Sequence, residues 1–120
     1  MWRLANSTVG LNSMTVGYGN TASANEAIAT GYYIVASGTD STAIGYYTTA
    51  SAQRAFASGD STTASNNNAH AEGYHTTASG SESHAEGNNT IASNYSSHAE
   101  GYNCIASGYY AHAEGRDTLA

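Results

Sequence analysis

From Ser13 onward, small, apolar and polar residues recur at fourteen-residue intervals without an insertion or deletion, giving seven complete rows to Tyr110 and a partial eighth, Ala111 to Ala120. With the places in a row numbered one to fourteen, place five is Gly in every row, from Gly17 to Gly115, and place ten is always Ala, from Ala22 to Ala120. Place three is Ala except for Thr15, and place eleven is Ser in every complete row. Places one to four and eight to eleven read as two short alternating segments, separated by Gly or Asn where a turn needs positive φ. Each row is therefore predicted as strand, turn, strand, turn.

A period of fourteen is also two heptads, so a coiled coil is the first alternative to test. It fails on chemistry. Any heptad frame puts Gly, Ser or a solvated polar residue at half of the seam, and each mid-helix Gly costs about 1 kcal/mol relative to Ala. Stacked rows instead pair each strand with its equivalent in the next row at about 4.8 Å, so that eight rows rise about 34 Å. The predicted fold is all-β, a parallel β-roll or solenoid over residues 13–120, with Met1 to Asn12 as a cap or connector to which Trp2 and Leu4 contribute. Places three and ten face each other across a thin interior of nearly constant volume.

Composition rules out a conventional core. Of 120 residues, 13 are Gly, 10 are Tyr and none is Pro, and much of the 40% hydrophobic count is Ala and Tyr. Stability must then come from repetition or association. The net charge is -6, with Arg3, Arg54 and Arg116 as the only cationic side chains besides histidine. No basic patch exists for nucleic acid or anionic lipid. No apolar run reaches the length of a spanning helix, and the opening Met1-Trp2-Arg3-Leu4-Ala5 lacks the apolar stretch of a signal peptide, as a domain excised from a longer exported protein also would. The lone Cys104 excludes an intrachain disulfide and reads as a small packed side chain.

Alternation sends places two and four to the side opposite place three. In the first four rows these are Met14/Val16, Ile28/Thr30, Thr42/Ile44 and Phe56/Ser58, an apolar stripe on the outside of a thin roll and so an expected association surface. From Ala69 the same places become His70/Glu72, His84/Glu86, His98/Glu100 and His112/Glu114. Such pairs invite a metal or acid–base reading. Fourfold recurrence on a lattice, with no nucleophile beside it, favours assembly instead. Glutamates about 4.8 Å apart repel by about 3 kcal/mol per step at an effective dielectric of 20, and Arg116 reaches only the last row. The histidines are therefore expected to bond the glutamates between chains at a trimer interface. No cofactor and no metal is assigned; an ion held on the trimer axis by three symmetry-related histidines is the minor alternative.

The rows Ser41-Thr42-Ala43-Ile44-Gly45 and Ser83-His84-Ala85-Glu86-Gly87 resemble the head repeats of YadA-like trimeric adhesins, and the resemblance runs from Ser13 to Ala120. It implies a left-handed β-roll, three chains about one axis, and an extracellular role in attachment. The Ser-His-Ala-Glu-Gly form also looks like that of fibre and appendage proteins of bacteriophages, so the surface could be a cell's or a virion's. The chain shows no heptad stalk and no membrane anchor.

All ten tyrosines fall in the predicted turns, where rings shield the edges of the roll or grip a partner. Tyr32, Tyr33, Tyr46 and Tyr47 are the candidate contacts for a surface glycan or a protein receptor. A different function class is ice binding, suggested by the pairs Thr48/Thr49, Thr62/Thr63 and Thr76/Thr77, although Asn20, Ile34 and Cys104 interrupt that array. With no phosphate loop, cysteine cluster or nucleophile elbow, the sequence points away from an enzyme.

Overall fold

A computed structural model describes residues 8–120; Met1 to Ser7, Trp2 and Leu4 among them, lie outside the described residues. Among the described residues, sixteen strands alternate between two lengths. The long ones are β2 (Met14–Tyr18), β4 (Ile28–Tyr32), β6 (Thr42–Tyr46), β8 (Phe56–Asp60), β10 (His70–Tyr74), β12 (His84–Asn88), β14 (His98–Tyr102) and β16 (His112–Arg116). The short ones are β1 (Thr8–Val9), β3 (Thr21–Ala22), β5 (Val35–Ala36), β7 (Thr49–Ala50), β9 (Thr63–Ala64), β11 (Thr77–Ala78), β13 (Ile91–Ala92) and β15 (Ile105–Ala106). Each set forms one eight-stranded sheet, parallel throughout and in chain order. The register places like on like: His70 pairs with His84, Ala71 with Ala85, Glu72 with Glu86 and Gly73 with Gly87. A parallel β-solenoid of fourteen-residue coils is therefore the fold. β1 extends the short sheet one coil ahead of Ser13, out of the segment assigned as a cap, pairing Thr8 with Thr21 and Val9 with Ala22. The body measures 42 × 20 × 11 Å.

The interior contains four columns of side chains. Ala29, Ala43, Ala57, Ala71, Ala85, Ala99 and Ala113 at place three face the place-ten alanines, from Ala22 to Ala106, and all are fully buried. Places one and eight complete it with Ser41, Ala55, Ser83, Asn20, Ile34, Thr48, Thr62, Thr76, Thr90 and Cys104, which are buried as well. Alternation explains this membership, because place one has the parity of three and place eight that of ten. Among the polar members, the hydroxyls of Ser41, Thr48, Thr62, Thr76 and Thr90 are buried without a hydrogen-bond partner, while others bond locally. Ser83 Oγ donates to the Gly80 carbonyl at 2.7 Å, and Asn20 Nδ2 donates to the carbonyls of Val16 and Gly31 while its Oδ1 accepts from Ile34 N. Cys104 is buried, its thiol directed at the carbonyls of Gly115 and Tyr102. The threonines at place eight point inward, so of each Thr-Thr pair only the second reaches the surface.

The corners differ from the expectation of Gly or Asn at positive φ. Places seven and fourteen are left-handed, yet they hold Tyr33, Tyr47, Ser61, His75 and Asp117 at one corner and Glu26, Asp40, Arg54, Glu82 and Tyr110 at the other. Each such amide is bonded to the coil before it, as in Tyr47 N to Tyr32 O and Arg54 N to Thr39 O. The ladder thus fixes a conformation that costs about 1 kcal/mol or more per non-glycine residue in an isolated chain. The invariant Gly lies inside the long strand, at φ between 101° (Gly115) and 133° (Gly31). A Cβ on Gly73 would overlap the carbonyl of Gly87 in the next coil. Close approach of backbones therefore dictates the glycine. Among the described residues, no helix is long and apolar enough to cross a membrane.

Candidate interaction faces

The long sheet turns places two and four outward. Met14, Ile28 and Phe56 are half-buried there, while Val16 and Ile44 are each 40% exposed, so the apolar stripe expected from the sequence lies along one flat face. From β10 onward the same face presents His70, His84, His98 and His112 in one column and Glu72, Glu86, Glu100 and Glu114 in the next. The Phe56 ring runs directly into the histidine column at 4.8 Å between centroids. The histidines continue it as stacked rings at 4.5, 4.8 and 4.8 Å. Ser58, the four glutamates and the glycines beside them line an open groove along the rod.

Within the chain, each of the four histidines of the column meets the glutamate two residues on. The Nε2 to Oε2 separations are 3.2 Å for His70–Glu72, 3.5 Å for His84–Glu86, 3.4 Å for His98–Glu100 and 3.4 Å for His112–Glu114. Same-face spacing of two residues in an extended strand brings them together. The sequence points to partners on a neighbouring chain, because period two fixes faces and not rotamers. The Arg116 guanidinium lies 5.5 Å from the Tyr102 ring centroid and its Nε 3.5 Å from Asp117.

The ladder has electrostatic consequences. The His70 hydrogen bond, followed by one from Glu86, holds the Glu72 carboxyl below its usual range. Burial, followed by the fields of His70 and His98, pushes the His84 imidazole below its ordinary 6.5 despite the opposing pull of Glu86 and Glu72. A histidine lowered on folding is less easily protonated in the roll than in the unfolded chain. Its contribution to stability is present above 6.5 and is lost as pH falls through the lowered value. Glu72 acts in the same direction in a lower window, below 4.5. We expect the melting temperature in metal-free buffer to fall from about pH 7.5 to about pH 5.5, and His84→Asn to flatten that slope. An equal slope in both proteins would contradict the assignment.

Seven of the ten tyrosines gather at the corner that ends the long strands. Tyr18, Tyr32, Tyr46, Tyr74 and Tyr102 are the last residues of their strands and not turn residues, contrary to the sequence expectation. Tyr32 and Tyr46 stack at 5.4 Å, Tyr33 and Tyr47 stack at 5.4 Å, and the two columns meet edge to face at 4.8 and 4.7 Å. All four are exposed. The phenol of Tyr18, then partial burial, then Tyr32 and Tyr47 push the Tyr33 phenol above 10.0. Further along the same corner, the amides of Asn89 and Asn103 bond upward to Asn103 and Asp117 at 2.8 and 2.7 Å, a side-chain ladder that repetition alone makes possible.

A family model described as YadA head domain repeat (2 copies) matches residues 9–33, 36–62 and 71–93, more than half of the chain. The chain belongs to the YadA head repeat family. No curated protein matches it. As a YadA head repeat protein it falls in a structural, adhesin-like group rather than an enzymatic one, and heads of this kind are exposed at surfaces. The family implies trimer formation and adhesion.

Proposed function

We propose that the chain is a segment of a homotrimeric, rod-shaped attachment protein carried outside the cell, on a bacterial surface or a phage virion. The observation that carries this reading is the flat outer face of the long sheet, where Val16 and Ile44 stand open beside Met14, Ile28 and Phe56. An extended apolar stripe on a roll with an alanine interior calls for a partner surface. Three chains packing these faces about one axis bury the stripe, and carry His70, Glu72, His84, Glu86, His98, Glu100, His112 and Glu114 into the same interface. There, interchain His to Glu bonds supplement the pairs within each strand. Repetition sets the length and stiffness of the rod.

The receptor contact falls to Tyr32, Tyr33, Tyr46 and Tyr47, whose exposed rings offer flat apolar faces with hydroxyls at the rim, suited to a surface glycan or a protein receptor. Screening the rod on a glycan array and on a panel of bacterial and animal cells should find a bound surface. Tyr32→Ala with Tyr46→Ala should then weaken binding about tenfold or more without changing the native mass. A wild-type rod that binds no surface, or a variant that binds as tightly, would count against the assignment.

A further inference from the structure

The ladder carries chemistry beyond assembly. We propose that each chain binds two divalent transition-metal ions of the zinc, nickel or copper class, one at His70, Glu72 and His84, the other at His98, Glu100 and His112. In each group the three ligand atoms, two imidazole nitrogens and one carboxylate oxygen, lie within 4.8 Å of one another. Strand register supplies the pair of histidines, since His70 is the direct partner of His84 and His98 of His112. The glutamate comes from the same face of the first strand in each pair.

Ligand atoms about 2 Å from a tetrahedral ion stand about 3.3 Å apart, so each set must close slightly. The mobile parts are side-chain ends: His112 is 55% exposed, and His70 and Glu72 are 40% and 43% exposed. The backbone ladder can stay as it is. An independent observation points to a ligand: Nε2 of His84 and of His98 is shut off from solvent and makes no hydrogen bond, although each lies near a glutamate. A withdrawn imidazole nitrogen without a partner is a group that coordination would satisfy.

Two nitrogens and one oxygen select borderline transition metals over calcium or magnesium, which take oxygen ligands. Three protein ligands also leave a coordination position for water or for a group of a neighbouring chain. These sites differ from an ion on a trimer axis, which would need one histidine from each of three chains and no carboxylate.

The test uses tag-free, chelator-stripped rod titrated separately with Zn²⁺, Ni²⁺ and Cu²⁺ in a calorimeter, with Cu²⁺ also followed by electron paramagnetic resonance. The expected result is two ions per chain, with hyperfine structure from two imidazole nitrogens. Glu72→Gln with Glu100→Gln should lower the affinity about tenfold or more while leaving the circular dichroism unchanged. The proposal is overturned by absence of binding, by one ion for each histidine row of three chains, or by full affinity in the glutamine variant. Because the wild-type spectrum reports the ligands directly, a variant that fails to fold does not remove the test. A monomeric rod that still binds two ions would separate this inference from the trimer reading.

Discussion

Gly73→Ala is expected to unravel the roll around its middle coils. Gly73 holds φ at 117°, and a Cβ there would occupy the space of the Gly87 carbonyl in the next coil. The backbone strain costs about 1 to 3 kcal/mol, and displacing a carbonyl within a packed ladder adds about as much again. In a solenoid each coil is stabilised by its neighbours alone, so a break at β10 also removes support from β8 and β12. Far-UV circular dichroism on heating should show a melting temperature lower by about 10 °C or more. Gly108→Ala is the control, because its Cβ would meet only the Ala111 Cβ at 3.5 Å. That change should stay within about 0.5 kcal/mol of the wild type. Equal behaviour of the two variants would mean that the invariant glycine is not set by the approach of adjacent coils.

The second large effect concerns the interior. Ala85 is fully buried, in line with Ala71 below it and Ala99 above, in a body only 11 Å across its thinnest extent. Ala85→Leu adds three carbon atoms where the opposite wall is another alanine column. The walls can separate only by breaking the corners that link them, so the cost should reach the upper part of the usual range for overpacking, about 3 kcal/mol. Urea unfolding would register it as a lower midpoint. Thr77→Leu, on the outward side of the short sheet, should be nearly neutral. A midpoint for Ala85→Leu equal to that of the wild type would show that the interior has slack the repeat does not suggest.

Much of this architecture was legible in the sequence because a solenoid repeats its constraints. Eight copies in register expose the period, the parallel pairing of like with like, and the alanine columns at places three and ten. The inward course of Thr48, Thr62 and Thr76 follows from the same parity, but their polarity suggests a surface, and the hydroxyl-lined interior is harder to foresee. Other features depend on terms that the period does not encode. Gly45 and its equivalents read as turn glycines until the positions of adjacent carbonyls are known. Tyr33 and Arg54 occupy left-handed corners that their side chains disfavour, because their amides belong to a ladder built by the preceding coil. The candidate face was legible as a face. Its internal pairing was not, since His84 meets Glu86 through rotamers that stacking against His70 and His98 selects.

The central claim is that this roll acts as one third of a rod, its apolar stripe and its ladder covered by two further copies. Native mass spectrometry of the wild-type chain at low micromolar concentration tests it most directly. The account predicts a single species of three times the 12.3 kDa chain mass, which Ile44→Asp converts to monomer. A wild-type chain that stays monomeric would contradict it.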